Sequence, residues 1–210
     1  MKKKLLILGA LLMGLTKVSA AVDPNFQIYL CFGQSNMEGN AAIEDIDRTG
    51  VNPRFMAMYA VDDEKAGWKK GQWHTAVPPQ ARPDTGLTPV DYFGRKMVDN
   101  LPDSIKVGTI TVAVGGASID LFDKRTCKAY LKKQPDWMKN FASQYNGNPY
   151  ARLIELAKIA QKQGVIKGIL LHQGETNNGD ANWPNRVKTV YNDILKELHL
   201  KAEDVPLLVG

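Results

Sequence analysis

Ser35 is the residue whose type and setting point most directly to chemistry. It stands in Ile28-Tyr29-Leu30-Cys31-Phe32-Gly33-Gln34-Ser35-Asn36-Met37-Glu38-Gly39, an apolar, β-branched and aromatic run that stops at a polar turn. Such a run predicts a buried strand that lifts the serine hydroxyl off the carboxyl edge of a sheet, where open α/β folds put their reactive groups. A simpler reading makes Ser35 and Asn36 caps of the next helix. Two further runs end in the same way. Residues 105–114 stop at Gly115-Gly116-Ala117-Ser118, and residues 165–171 stop at His172-Gln173-Gly174-Glu175-Thr176-Asn177. In a parallel sheet the three turns converge on one edge.

Three such turns suit acyl transfer. A serine becomes a nucleophile when a base takes its proton and amide groups stabilise the oxyanion. Gly115 and Gly116 leave their amides unshielded, and Gln173 carries a side-chain amide. The Ser35 amide, one of the two glycine amides and Gln173 would make a three-donor oxyanion hole. This is not the G-x-S-x-G elbow of α/β-hydrolases, because Met37 stands where the second glycine would be.

The strings Gly33-Gln34-Ser35-Asn36-Met37, Gly115-Gly116-Ala117-Ser118 and His172-Gln173-Gly174-Glu175 resemble the first three conserved blocks of the SGNH hydrolases, in the branch of sialate O-acetylesterases and acetyl-xylan esterases. The resemblance runs from about Gln27 to Gly210. It implies a three-layer α/β/α sandwich and removal of acetyl groups from carbohydrates without a metal or other cofactor. It makes Ser35 the nucleophile and assigns the oxyanion hole to Ser35, Gly116 (with Gly115 as the substitute) and Gln173. Asn36, His172 and Glu175 take supporting roles, Glu175 by ordering the third turn. The family draws its base from an Asp-x-x-His motif near the carboxyl terminus, which this sequence lacks. His74, His172 and His199 read respectively as a loop residue, a neighbour of the oxyanion glutamine and a helix-terminal cation. Residues 204–210 read as one more strand, so the expectation is that the Asp-x-x-His segment lies beyond Gly210 and that this chain alone is inactive.

The elements that must hold the turns are legible between them. Thr88-Pro89-Val90-Asp91 has a capping threonine, a first-turn proline and an acid three residues after the cap, ahead of Tyr92, Phe93, Met97 and Val98 on a helical period. Asn148-Pro149 opens a second helix and Trp183-Pro184 a third. Helices alternating with β runs imply right-handed crossovers and a mostly parallel sheet between helical layers. Residues 54–60 add a strand. Residues 61–87 and 123–148 read as irregular insertions, the first passing over the edge where the turns meet. Trp68, Trp73 and Trp137 within them either stack on a sugar ring or anchor their loops. Cys31 reads as a buried strand residue and Cys127 as an exposed one, which argues against pairing them.

The start of the sequence reads as a secretory signal cut after Ala20: a basic Met1-Lys2-Lys3-Lys4, an apolar run over residues 5–15 too short to span a bilayer, and small residues at the cleavage site. That predicts a secreted or periplasmic protein without stable membrane insertion, and one esterase domain over residues 21–210. The full sequence has 27 basic and 22 acidic residues. Removing the leader's four lysines leaves 23 basic residues and a net charge of about +1, which offers no field for nucleic acid. The expected partner is an acetylated carbohydrate. Neither the glycan nor the oligomeric state is fixed. Other classes remain open: a sugar-binding domain without catalysis, and, more weakly, a phosphate site at Gly115-Gly116 that lacks a P-loop lysine.

Overall fold

The computed structural model describes residues 21–210, so the leader reading over residues 1–20 lies outside the described residues. Six strands form one sheet in the order β3-β2-β4-β1-β5-β6. They are β1 (Phe26–Gly33), β2 (Phe55–Met58), β3 (Trp73–Thr75), β4 (Lys106–Ala113), β5 (Val165–His172) and β6 (Leu207–Val209). All neighbours are parallel except β3, which runs antiparallel to β2 at the edge. The mostly parallel α/β sheet expected from the strand–helix alternation is the one found.

The β1 sequence is almost continuously apolar because both faces of the sheet are covered. Ile28, Leu30 and Phe32 point into a core shared with α6 (Pro149–Ala160) and α7 (Trp183–Glu197). Tyr29 and Cys31 point the other way, toward Val90 and Val98 of α3 (Pro89–Asn100), the helix that follows the single turn α2 (Asp45–Arg48). Two caps read from the sequence start their helices. Thr88 Oγ1 accepts from Val90 N at 3.4 Å, and Asn148 Oδ1 accepts from Ala151 N at 3.0 Å. Thr88 Oγ1 also donates to the Met37 carbonyl at 2.7 Å, which ties the start of α3 to the helical turn α1 (Ser35–Glu38).

The two insertions are more ordered than expected. Residues 61–87 contain β3. Residues 123–148 contain α4 (Cys127–Lys132) and α5 (Asp136–Ser143). Neither helix has a side-chain cap bond, and each is too short to display a period, so the sequence carried little signal for them. Cys127 is corrected with them: it is 3% exposed, its Sγ donates to the Gly147 carbonyl at 3.7 Å, and burial pushes its thiol up to about 11. Both cysteines are free thiols. Among the described residues no helix is long and apolar enough to cross a membrane.

Candidate active site

Strand β1 delivers Ser35 to the carboxyl edge through a locked turn. Gln34 N donates to the His172 carbonyl at 3.0 Å, and Val114 N donates to the Gly33 carbonyl at 3.1 Å, so the ends of β5, β1 and β4 are held together. Position 33 admits only glycine, since a β-carbon there would lie 2.0 Å from the His172 carbonyl oxygen. Ser35 begins α1 and does not cap it. The cap position is Gln34, with no side-chain cap bond, and Ser35 Oγ has no hydrogen-bond partner among the described residues.

The second turn presents its two glycine amides differently. Gly115 N donates to Glu38 Oε1 at 3.1 Å. Gly116 N has no acceptor among the described residues, and neither has Ser35 N. Gly116 adopts φ +69°, a left-handed conformation that suits glycine, and a β-carbon on it would meet Trp137 Cη2 at 2.9 Å. A serine hydroxyl and two backbone N–H groups, of Ser35 and Gly116, all left without partners among the described residues at adjacent strand ends, are the parts an oxyanion site needs.

The third turn is built differently from the expectation. Gln173 is 2% exposed, and its Nε2 faces three acceptors: Asn177 Oδ1 at 2.7 Å, Gln34 Oε1 at 3.2 Å and the Ala117 carbonyl at 3.2 Å. Its Oε1 accepts from Trp183 Nε1 at 2.6 Å. Indole N–H only donates, so this contact fixes which end of the amide is oxygen. Gln173 as placed has no N–H left over for an oxyanion; it binds the three turns to one another. A Gln173→Leu substitution keeps the approximate volume and strands the Trp183 donor and the Ala117 acceptor. The expected cost is about 2–3 kcal/mol, read as a lower urea midpoint at constant slope.

Glu175 joins the first turn to the third, its Oε1 accepting from Asn36 Nδ2 at 2.8 Å and lying 3.5 Å from His172 Nδ1. That separation is too long for a hydrogen bond, and His172 Nδ1 is buried without one. The His172 imidazole and Asn36 line a cleft of about 360 Å³ with Asn40, Thr88 and Tyr92. His74 lies elsewhere, stacked on Trp68 at 3.8 Å with its Nδ1 on the Thr75 carbonyl, and burial lowers its pKa. His199 is exposed in a left-handed turn after α7. Trp68 also packs edge-on against Tyr59, and Trp73 against Phe26, so both anchor their loop. Trp137 is the exception: it is 49% exposed and touches Gly116.

Two residues at the centre escaped the sequence reading. Glu38 (8% exposed) pairs with Arg82 Nη1 at 2.7 Å, and Arg82 (2% exposed) lies with its guanidinium 4.4 Å from the centre of the Phe141 ring. Burial raises the Glu38 pKa, against the pull of Arg82 and the Gly115 amide. The available signal was an acid two residues after the Gly-Gln-Ser-Asn block and an arginine in a proline-rich loop that must cross it.

Among the described residues no group of three or more His, Cys, Asp or Glu side chains is placed to hold a metal ion. A parallel α/β sandwich with these three turns on one edge has the architecture of the SGNH hydrolases. Residues 25–210 match the family described as carbohydrate esterase, sialic acid-specific acetylesterase, and the chain belongs to that family. Solved structures share the fold at low identity. A protein from Arabidopsis thaliana is 19% identical, with a TM-score of 0.62 over 89% of this chain and 74% of its own. A carbohydrate acetylesterase from Xanthomonas citri is 20% identical, with a TM-score of 0.57 over 87% of this chain and 40% of its own. NanS is 17% identical, with a TM-score of 0.57 over 90% of this chain and 68% of its own.

Proposed function

We propose that this protein is an exported carbohydrate O-acetylesterase with a serine nucleophile. The observation that carries the reading is that the Ser35 hydroxyl and the N–H groups of Ser35 and Gly116, on the converging turns after β1 and β4, all lack hydrogen-bond partners among the described residues. Ser35 Oγ attacks the acetyl carbonyl, and its proton passes to a base. The carbonyl oxygen becomes an oxyanion held by the two amides, and collapse expels the sugar alkoxide, which takes a proton from the base as it leaves. Water then attacks the acetyl-serine by the same route, releasing acetate and restoring the hydroxyl. Gly115 is assigned to Glu38, and Gln173 to holding the turns.

The base must reach Ser35 Oγ. The packing of His74, the Asn36-side cleft faced by His172 and the solvent position of His199 argue against all three. We assign the base to a histidine of the Asp-x-x-His kind that the resemblance to the SGNH hydrolases implies. The unpartnered serine also suits a second reading, a sugar-binding domain without catalysis. A fluorophosphonate probe on the full-length protein separates the two. Labelling that maps to Ser35 is expected. Saccharide binding with no labelling would replace the esterase reading with the second one.

A further inference from the structure

We propose that Trp137 is the platform on which the sugar carrying the acetyl group stacks. The inference rests on the esterase reading, since it fixes where the acetyl carbonyl lies, and it adds the residue that selects a pyranose over a small alcohol. Trp68 and Trp73 are committed to packing, and Trp183 is committed through its N–H to Gln173. Trp137 keeps 49% of its surface open beside Gly116.

Position supplies the argument. A carbonyl oxygen bonded to Gly116 N–H lies about 3 Å from that nitrogen, and the six-membered edge of the indole abuts the same glycine. The alcohol half of the ester hangs from that carbonyl carbon, so a pyranose ring enters the space over Trp137 when its acetyl group is in place. Pyranoses present apolar C–H faces, which an amphipathic aromatic at a wet surface buries while the hydroxyls stay hydrated. An acetyl methyl is too small to cover so open a ring.

The ring is also held in place, which lowers the entropic cost of binding. Trp137 packs edge-on against Phe141 with ring centres 5.9 Å apart, Phe141 stacks on Arg82, Arg82 pairs with Glu38, and Glu38 accepts from Gly115, the neighbour of Gly116. The circuit closes on itself. Platform and oxyanion amide are therefore held by one continuous set of contacts.

The test is Trp137→Ala, with Trp137→Phe as the conservative companion, in the full-length protein. The readout is kcat/KM for O-acetylated N-acetylneuraminic acid and for acetylated xylobiose, each divided by that for 4-nitrophenyl acetate. The ratio for the preferred sugar is expected to fall about tenfold in the alanine variant and to recover in part in the phenylalanine variant. An unchanged ratio overturns the proposal. So does a gain in butyryl over acetyl turnover, which would make Trp137 the wall of the acyl pocket. Wild-type protein that releases no acetate from either sugar sinks the esterase reading instead. In that event saccharide quenching of tryptophan fluorescence in a Ser35→Ala background decides the platform separately: loss of the quench with Trp137→Ala supports it, and persistence overturns it.

Discussion

Replacing Ser35 with alanine in the full-length protein is expected to lower acetyl-ester turnover by at least about 10⁴-fold while leaving stability within about 0.5 kcal/mol. The two halves of this result come from the same geometry. Ser35 Oγ has no hydrogen-bond partner among the described residues, so folding loses nothing when it goes. The Ser35 and Gly116 amides remain, so some electrostatic stabilisation of the transition state survives and the residual rate stays above that in water. The stability half is a test in its own right. A serine that capped α1 would cost about 0.5–2 kcal/mol on removal, so a stable, inactive variant excludes the capping role and a destabilised, active one restores it. Urea unfolding and acetate release on the same preparation decide the matter.

The fold was legible because its signals are local and repeated. β1, β4 and β5 are eight-residue strands rich in apolar and β-branched residues, and Thr88-Pro89 and Asn148-Pro149 announce their helices by capping chemistry that the structure contains. The convergence of the three turns followed from parallel topology alone. What the sequence did not disclose was the allocation of hydrogen bonds among neighbouring groups. Gly115 and Gly116 are adjacent and chemically identical, and they differ only because a buried carboxylate from another turn reaches one of them. Gln173 looks like a donor in sequence, yet an indole arriving from α7 and three carbonyl-type oxygens use both ends of its amide. Glu38 and Arg82 are 44 positions apart, and nothing in either neighbourhood names the other. Trp137 belongs to a helix too short to show a period, so its place beside Gly116 required the fold.

Replacing Arg82 with methionine is expected to destabilise the protein by about 3–5 kcal/mol at neutral pH, the largest stability effect anticipated for any single substitution here. The reason is the partner left behind, for Glu38 would keep a buried charge answered only by the Gly115 amide. Burial already raises the Glu38 pKa in the intact pair, and removing Arg82 takes away the strongest opposing pull. The pH dependence follows. A carboxyl whose folded pKa lies above its unfolded value of about 4.3 imposes no penalty below that value. The penalty grows as pH rises through the interval between the two and is complete above the folded pKa. Arg82→Met is therefore expected to be closest to the wild type below about pH 4.3 and to fall further behind it as pH rises above that value. Adding Glu38→Gln removes the stranded charge and keeps an oxygen for Gly115 N–H, so the double variant should be more stable than Arg82→Met alone. A pH-independent loss, or a double variant as unstable as the sum of the singles, would mean that Arg82 acts through its packing on Phe141 and that Glu38 is held by other means. If the pair behaves as expected, the turn bearing Gly116 is set by a buried ion pair whose two halves come from different parts of the chain. Arg82→Met should then lose turnover beyond its loss of folded protein.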